Sequence, residues 1–444
     1  MNKLLSSACA NFIGFSLALG SAIVSAQTMR PPAALDAKES DPIVMGWMVG
    51  APPPNNKIIS FQDLSYMQFP QLRWSFSHWR ELMPTTNVSR GIGKVSVWPR
   101  AERSDIDGVS FIPMGAQAPM TWADSLAANY TDGIVVIHRG RIVYERYFGA
   151  LKSNGQHIAH SVTKSFFGTI GAMLVEEGLL DENALVTKYL PELKDSAFGD
   201  ATIEQVFDMT TALKFSELYT DPKAEIWDFA RAAGITPWPA GYSGPHSMYE
   251  FLPTVIKQGE HGAGFTYRSP NAELITWLIR RVTGESAAKN LQEKIFAKLG
   301  AEQDAYIQVD PYGNAVGAGG LNLGLRDLAR FGEMMRLGGV WNNQQIVPTR
   351  VVQDIQRGGS SAKFVAGGYT TLKGWSYRKL WWVSHNAHGA YMARGVHGQA
   401  IYIDPKAEMV IARFGSAPWA SNIFLDPTSL PAYEALALHL MAND

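Results

Sequence analysis

Residues 160–178 read HSVTKSFFGTIGAMLVEEG, and the fold prediction starts from this stretch. Its apolar side chains surround most of the axis of a helix, and Gly178 is the residue type that most often ends one. The pattern predicts a helix from about Ser161 to Glu177. A helix that is apolar on nearly all faces belongs in the middle of a protein, with other elements packed around it.

Strands are predicted on both sides of this helix along the chain. Two β-rich runs, 134–137 and 142–144, flank a short polar turn and predict a hairpin. Further strands are predicted at 375–383, 399–403 and 409–414, and helices at 269–284, 325–337 and 430–441. Strands at both ends with helices between them indicate an α+β fold. We expect an antiparallel β-sheet flanked by helices, with an inserted helical subdomain at about 186–309.

The first 117 residues divide into two parts. Lys3, a short apolar stretch and the small residues before Gln27 are typical of a cleavable signal peptide. We therefore expect residues 1–26 to be removed after Ala26 and the protein to be periplasmic or secreted. Residues 27–117 are rich in proline and aromatic residues and are predicted to form an N-terminal extension packed on the main domain, 118–444.

Composition excludes several classes of function. The 39 basic residues balance 40 acidic ones without long runs of like charge, so no nucleic-acid partner is expected. No segment is long enough for stable membrane insertion. The one cysteine, Cys9, lies in the predicted signal peptide, and the ten histidines show no metal spacing. We expect no metal and no other cofactor, and the sequence leaves the oligomeric state open.

Ser161 and Lys164 form a Ser-x-x-Lys element at the start of the predicted helix, where three residues make just under one turn. A serine hydroxyl needs a base to become a nucleophile, and a lysine can be that base when burial lowers its pKa. The apolar neighbours of Lys164 would supply that burial. Backbone N–H groups at the helix N-terminus could also stabilise an oxyanion.

The spacing alone is a weak signal, because it occurs again at Ser286–Lys289 and Ser360–Lys363. Ser286 has the context of a helix N-cap, and Ser360 lies in a Gly/Ser-rich loop. The structural alternative for Ser161 is also an N-cap serine, followed by a solvated lysine. Only Ser161 opens a strongly apolar helix directly after a predicted hairpin.

Four stretches together raise the specificity of the pattern. They are His160–Phe166; His261–Asn271 with the helix that follows it to Gly284; Gly319–Leu321 followed by Arg326–Gly332; and Arg394–Gln399 followed by Ile403–Pro405. In this order they resemble the serine β-lactamase and penicillin-binding superfamily. The similarity is greatest to the branch with class C β-lactamases, family VIII-type esterases and 6-aminohexanoate-dimer hydrolase, and it covers about residues 118–444. It implies a β-lactamase/transpeptidase-like fold.

The resemblance also implies catalytic roles. Ser161 matches the nucleophile, Lys164 the lysine base, and Tyr267 the tyrosine whose phenol exchanges a proton with the lysine. A phenolate held beside an ammonium can act as a base toward the serine, and the phenol it becomes can later act as an acid toward the leaving group. The structural alternative for Tyr267 is a core tyrosine with a satisfied hydroxyl.

The third motif departs from the β-lactamase pattern, because no Lys-Thr-Gly occurs and Arg394–Gly398 stands in its place. The resemblance implies that a backbone N–H of Val396 or His397 completes an oxyanion hole with that of Ser161. It implies substrate contacts from Tyr219, His397 and Gly398. Tyr219 could instead pack a loop, and His397 could be a satisfied strand histidine. Loss of the lysine argues against recognition of a substrate carboxylate.

The leading hypothesis is a serine hydrolase that cleaves an amide or ester bond of a small molecule through an acyl-enzyme on Ser161. One alternative is a β-lactamase or D-Ala-D-Ala peptidase acting on cell-wall-like substrates. Another is a non-catalytic binding protein that keeps the same fold. The Gly-x-Ser-x-Gly, His-Glu-x-x-His and phosphate-loop motifs are absent from the sequence.

Overall fold

The computed structural model describes residues 33–443, which belong to one compact unit. The predicted signal peptide, 1–26, lies outside the described residues. Within them, no helix is both long and apolar enough to cross a membrane. The predicted division into an extension, a main domain and a helical subdomain stays a prediction.

A seven-stranded antiparallel sheet forms the centre of the fold. In chain order its strands are β1 Thr131–His138, β2 Arg141–Tyr147, β3 Ser376–Arg378, β4 Trp381–Val383, β5 Tyr391–Gly395, β6 Gln399–Asp404 and β7 Met409–Gly415. Their order across the sheet is β3-β4-β5-β6-β7-β1-β2. The first hairpin therefore pairs with the last strand, through the register Met409↔His138. All eight residues of β1 are buried, which fits a strand covered on both faces.

Six helices of eight or more residues occur within residues 33–443. They are α1 Val162–Glu176, α2 Ser269–Thr283, α3 Ala287–Lys294, α4 Leu325–Arg336, α5 Thr349–Arg357 and α6 Asp426–Ala442. Thirteen consecutive residues of α1, from Val162 to Leu174, are buried. The sequence prediction of a helix covered on nearly all sides is confirmed.

Helices lie on both faces of the sheet. On one face α1 and α4 both contact strands of the sheet, and the rings of Phe166 and Phe331 stack at 3.7 Å between centroids. On the other face α6 packs through Tyr433, whose ring lies 5.3 Å from that of Tyr402 in β6. The predicted α+β class, an antiparallel β-sheet flanked by helices, is confirmed.

The segment before residue 118 joins the body through a second, four-stranded sheet. Its strands are Thr85–Val88, Ala305–Gln308, Leu321–Leu323 and His157–Ile158, in that spatial order. The aromatic run near residue 74 forms a short α-helix, Leu72–Ser75, and a separate 3₁₀ turn, Trp79–Glu81, with a break between them. This break lets Phe76 and Trp79 both point into the body, where each is less than 4% exposed.

Candidate active site

Ser161 stands where the four-stranded sheet leads into α1. The strand His157–Ile158 continues to Ala159, whose N–H donates to the carbonyl of Leu321 at 2.8 Å. His160 then turns the chain with a left-handed φ of 43°, which is uncommon for a residue other than glycine. Ser161 occupies the N-cap position of α1, but its side chain makes no capping hydrogen bond. Its hydroxyl is therefore available for other partners.

Lys164 is that partner, and it is buried to 1% exposure in the first turn of α1. Its Nζ lies 2.9 Å from Ser161 Oγ and donates to the carbonyl of Ala318 at 2.6 Å. Burial lowers the pKa of Lys164 to about 8, because desolvation disfavours the ammonium form. The alternative of an N-cap serine with a solvated lysine is therefore wrong for this pair.

The two other Ser-x-x-Lys sequences behave as that alternative describes. Ser286 Oγ accepts the N–H of Lys289 at 3.1 Å and caps α3, and Lys289 pairs with Glu285 at the surface. Ser360 Oγ likewise accepts the N–H of Lys363, capping the short helix Ser361–Phe364. The same spacing thus gives a cap at two positions and a buried serine–lysine pair only at Ser161.

Tyr267 reaches the pair from the loop that precedes α2. Backbone hydrogen bonds from Phe265 to Lys363 and from Thr266 to Met209, both 2.9 Å, hold this loop, and the Tyr267 ring stacks on Trp382 at 5.5 Å. Lys164 Nζ lies 5.1 Å from the centre of its ring, and the Ser161 hydroxyl acts to lower the pKa of its phenol, against the larger effect of burial. Burial raises the pKa of Tyr267 well above its usual value. The structure thus brings the three predicted side chains together.

A half-buried glutamate, Glu217, and a buried one, Glu273, lie near Lys164 and were not predicted from the sequence. Burial raises the pKa of Glu217, whose carboxylate accepts the N–H of Ser269. Burial also raises the pKa of Glu273 to about 7, and this side chain accepts the N–H groups of Gly317 and Ala318 at 3.3 and 2.8 Å. Both carboxylates act to raise the pKa of Lys164, against the larger effect of burial.

The end of β5 passes directly against the backbone of the serine. A Cβ atom at Gly395 would lie 2.8 Å from the Ala159 carbonyl and 3.1 Å from Ser161 N, so only glycine allows this approach. Val396 follows at the edge of the cavity. The N–H of His397 donates to the carbonyl of Ala420 at 3.1 Å. The prediction that His397 could supply the oxyanion N–H is therefore wrong, and Val396 is the remaining candidate.

His397 and Gly398, the two predicted substrate-binding residues of this region, lie in different places. The His397 ring lies on the cavity wall, and its Nδ1 donates to the Ala417 carbonyl at 2.7 Å. Burial lowers the pKa of His397 to about 4, so the ring is neutral at neutral pH. Gly398 instead faces Arg413, whose Nη2 would lie 2.5 Å from an added Cβ, and it lines a different hollow. The prediction of a substrate contact from Gly398 is corrected by this placement.

A cavity of about 120 Å³ opens beside Ser161 and Lys164. Tyr219 lies on its wall as predicted for a substrate-facing residue, although a contact with substrate stays a prediction. Phe76, Trp79 and Met67 come from the segment before residue 118. The sequence shows that this segment is rich in aromatic residues. Its position beside Ser161 could not be predicted, because only folding brings the two parts of the chain together.

Comparison with known proteins identifies the family. The Beta-lactamase family model matches residues 123–418, and the chain belongs to this family. A 6-aminohexanoate-dimer hydrolase from Paenarthrobacter ureafaciens is 33% identical over 357 residues, which cover 80% of this chain and 88% of that protein. The chain is thus a hydrolase of the Beta-lactamase family, in the amidase and esterase group.

Solved structures agree with this assignment. A Bacillus anthracis protein named for the same 6-aminohexanoate-dimer hydrolase activity superposes with a TM-score of 0.79 at 31% identity, over 88% of this chain and 99% of that one. A family VIII carboxylesterase superposes with a TM-score of 0.51 at 18% identity, over 72% and 96% of the two chains. The second similarity shows the fold alone.

Proposed function

We propose that the protein hydrolyses an amide or ester bond of a small molecule through an acyl-enzyme on Ser161. The observation that carries this proposal is the 2.9 Å approach of a buried Lys164 amine to Ser161 Oγ, with the centre of the Tyr267 ring 5.1 Å from the same amine. A buried amine of low pKa beside a serine is the arrangement that nucleophilic catalysis needs.

In the acylation step, Lys164 in its neutral form accepts the proton of the Ser161 hydroxyl as Oγ bonds to the substrate carbonyl carbon. The N–H groups of Ser161 and Val396 stabilise the oxyanion that forms. Collapse of this intermediate breaks the bond to the leaving group, which departs with the proton that Lys164 received and the Tyr267 phenol passed on. In deacylation, water attacks the acyl carbon, gives its proton to the same pair and releases Ser161 and the acid.

The raised pKa of Tyr267 and the lowered pKa of Lys164 support a division of roles. Above pH 8 both groups are predominantly neutral, so the amine is the group that can take a proton from serine. The phenol keeps its proton and serves as a relay.

The cavity offers almost no positive charge that could bind a substrate carboxylate. Among the residues that line the cavity, Lys164 is the one cation, and it is already bonded to Ser161 and Ala318. This supports the amidase or esterase hypothesis over a β-lactamase or peptidase. Durable labelling of Ser161 by a fluorescent penicillin would favour the latter.

The test compares two serine variants of the same motif. In Ser161→Ala, hydrolysis of p-nitrophenyl butyrate should fall to the uncatalysed rate while the circular dichroism spectrum stays that of the wild type. The matched Ser286→Ala removes a helix cap and should cost about 1 kcal/mol of stability but leave kcat/KM unchanged. Full activity in folded Ser161→Ala would defeat the proposal and favour a non-catalytic role for this site.

A further inference from the structure

The wall of the cavity beside Ser161 carries almost no charge. Twenty residues of the described part of the chain, 33–443, line it; Lys164 is the one lysine or arginine among them, and none of them is an aspartate or glutamate. The two histidines on the wall are neutral at neutral pH, because burial lowers the pKa of His397 to about 4 and that of His160 well below its usual value. A charged group on a ligand would therefore meet no wall residue of opposite charge other than Lys164.

The charges nearest the cavity are already compensated. The Lys164 amine is bonded to Ser161 Oγ and the Ala318 carbonyl. Glu217, which does not line the cavity, accepts the N–H of Ser269, and Lys164 and Arg268 act to stabilise its ionised form. Lys164 and Glu217 thus interact with neighbouring protein groups rather than with the open space of the cavity.

Most of the remaining wall is apolar, and two separate parts of the chain supply much of that apolar surface. One part is the aromatic segment before residue 118, which supplies Phe76 and Trp79. The other is the segment 226–235, which supplies Ile226, Phe229 and Ile235. Apolar surface on both sides favours an apolar ligand, because moving methylene groups out of water and into apolar surroundings is favourable.

The acyl half of the substrate is the half that must fit this cavity. During turnover the acyl carbon is bonded to Ser161 Oγ, which lines the cavity, whereas the leaving group departs. We infer, building on the proposed function, that the acyl group is a short, uncharged, apolar chain. An ammonium at its far end, as in a 6-aminohexanoyl group, would be buried without a partner and is disfavoured.

The experiment uses two esters of the same shape, p-nitrophenyl heptanoate and p-nitrophenyl 6-aminohexanoate, which differ by CH₃ in place of NH₃⁺. At pH 7 the wild type should hydrolyse the heptanoate with a kcat/KM at least about 30-fold higher, since an unpaired buried polar group costs about 1–3 kcal/mol and a charge costs more. The rate with Ser161→Ala is subtracted as background. Equal values, or a preference for the amino ester, would overturn the inference.

Failure of the proposed function has a different signature. If neither ester shows hydrolysis that depends on Ser161, the acyl-enzyme proposal itself falls, and the acyl inference falls with it. If both are hydrolysed equally and Ser161 is required, only the inference about the acyl group is lost.

A variant locates the discrimination in the cavity. Ile226→Glu places a carboxylate on the wall and should reduce the preference for the heptanoate at least about tenfold. The control Ile256→Glu adds the same charge at a position that is 61% exposed and outside the cavity, and it should leave the ratio unchanged. Ile235→Glu provides a second wall position if Ile226→Glu fails to fold. An unchanged ratio in a folded wall variant would show that the acyl chain lies elsewhere.

Discussion

The protonation state of Lys164 should set the pH dependence of the reaction. Its ammonium form cannot accept a proton from Ser161, and burial lowers the pKa of Lys164 to about 8. We predict that kcat/KM for an uncharged ester rises about tenfold per pH unit below pH 8 and levels off above it. Stopped-flow measurements from pH 6 to 9.5 check this. A profile that is flat across that range would contradict lysine as the base.

Glu217 offers a test of the same claim through its electrostatic effect. Its carboxylate acts to raise the pKa of Lys164. Glu217→Gln should therefore shift the midpoint of the pH profile to lower pH, so that the variant loses less activity than the wild type between pH 8 and 6.5. A purely structural role would lower the rate at every pH without moving the midpoint.

The sequence predicted that Ser161, Lys164 and Tyr267 belong to one site, because the stretches that contain them resemble the motifs of the serine β-lactamase superfamily in order and composition. It could not identify Glu217 or Glu273 as neighbours of Lys164, since a single glutamate in a loop or helix is most often solvated. The prediction that the His397 N–H could complete the oxyanion hole was wrong for a similar reason. Its acceptor, the Ala420 carbonyl, lies in a loop whose path only the folded structure reveals.

Close packing of β5 against the start of α1 should hold the serine in place. We predict that Gly395→Ala reduces kcat/KM about 100-fold, because the added Cβ would overlap the Ala159 carbonyl and displace the backbone beside Ser161. Overpacking should also cost about 1–3 kcal/mol of stability. The control is Gly108→Ala, where an added Cβ meets no atom within 4 Å. Wild-type kinetics in Gly395→Ala would refute this role of the strand.

Most elements follow from local pattern, and the exceptions have physical reasons. The first hairpin, α1, α2 and α4 lie where hydrophobic periodicity and glycine stops predict them. The predicted strand 375–383 is two strands, β3 and β4, because Lys379 and Leu380 take left-handed φ angles and reverse the chain. Neither residue is a usual turn former, so the local pattern did not predict this reversal.

The segment before residue 118 and the body are coupled by buried charge as well as by apolar contacts. Arg73 is 2% exposed, and its Nη2 lies 3.4 Å from Asp132 in β1. Asp132 also meets His157 Nε2 at 3.2 Å. We predict that Arg73→Met lowers the free energy of unfolding by about 3 kcal/mol, because it leaves the Asp132 carboxylate buried beside His157 alone.

Urea unfolding followed by tryptophan fluorescence measures this change. The control is Arg350→Met, since Arg350 pairs with Glu176 at 81% exposure and should change stability by less than about 0.5 kcal/mol. If Arg73→Met also unfolds no earlier than the wild type, the segment is not held to the body by this contact.

The overall architecture could be predicted from the sequence. The contribution of the segment before residue 118 to the cavity could not. The order of strands and helices indicates the α+β class directly. Packing of Phe76 and Trp79 against a site that begins 80 residues later depends on long-range contacts, such as the hydrogen bond from Trp79 Nε1 to Gln308 Oε1 at 3.0 Å. Local pattern carries no information about such partners.

The central claim is that Ser161 becomes covalently acylated during turnover. Rapid quenching of the enzyme with p-nitrophenyl heptanoate, followed by digestion and mass spectrometry, measures this directly. We expect a heptanoyl mass increase on the peptide that contains Ser161, and none in Ser161→Ala. Hydrolysis at the wild-type rate with no acylated peptide at any quench time, or with the acyl group on another residue, would contradict it.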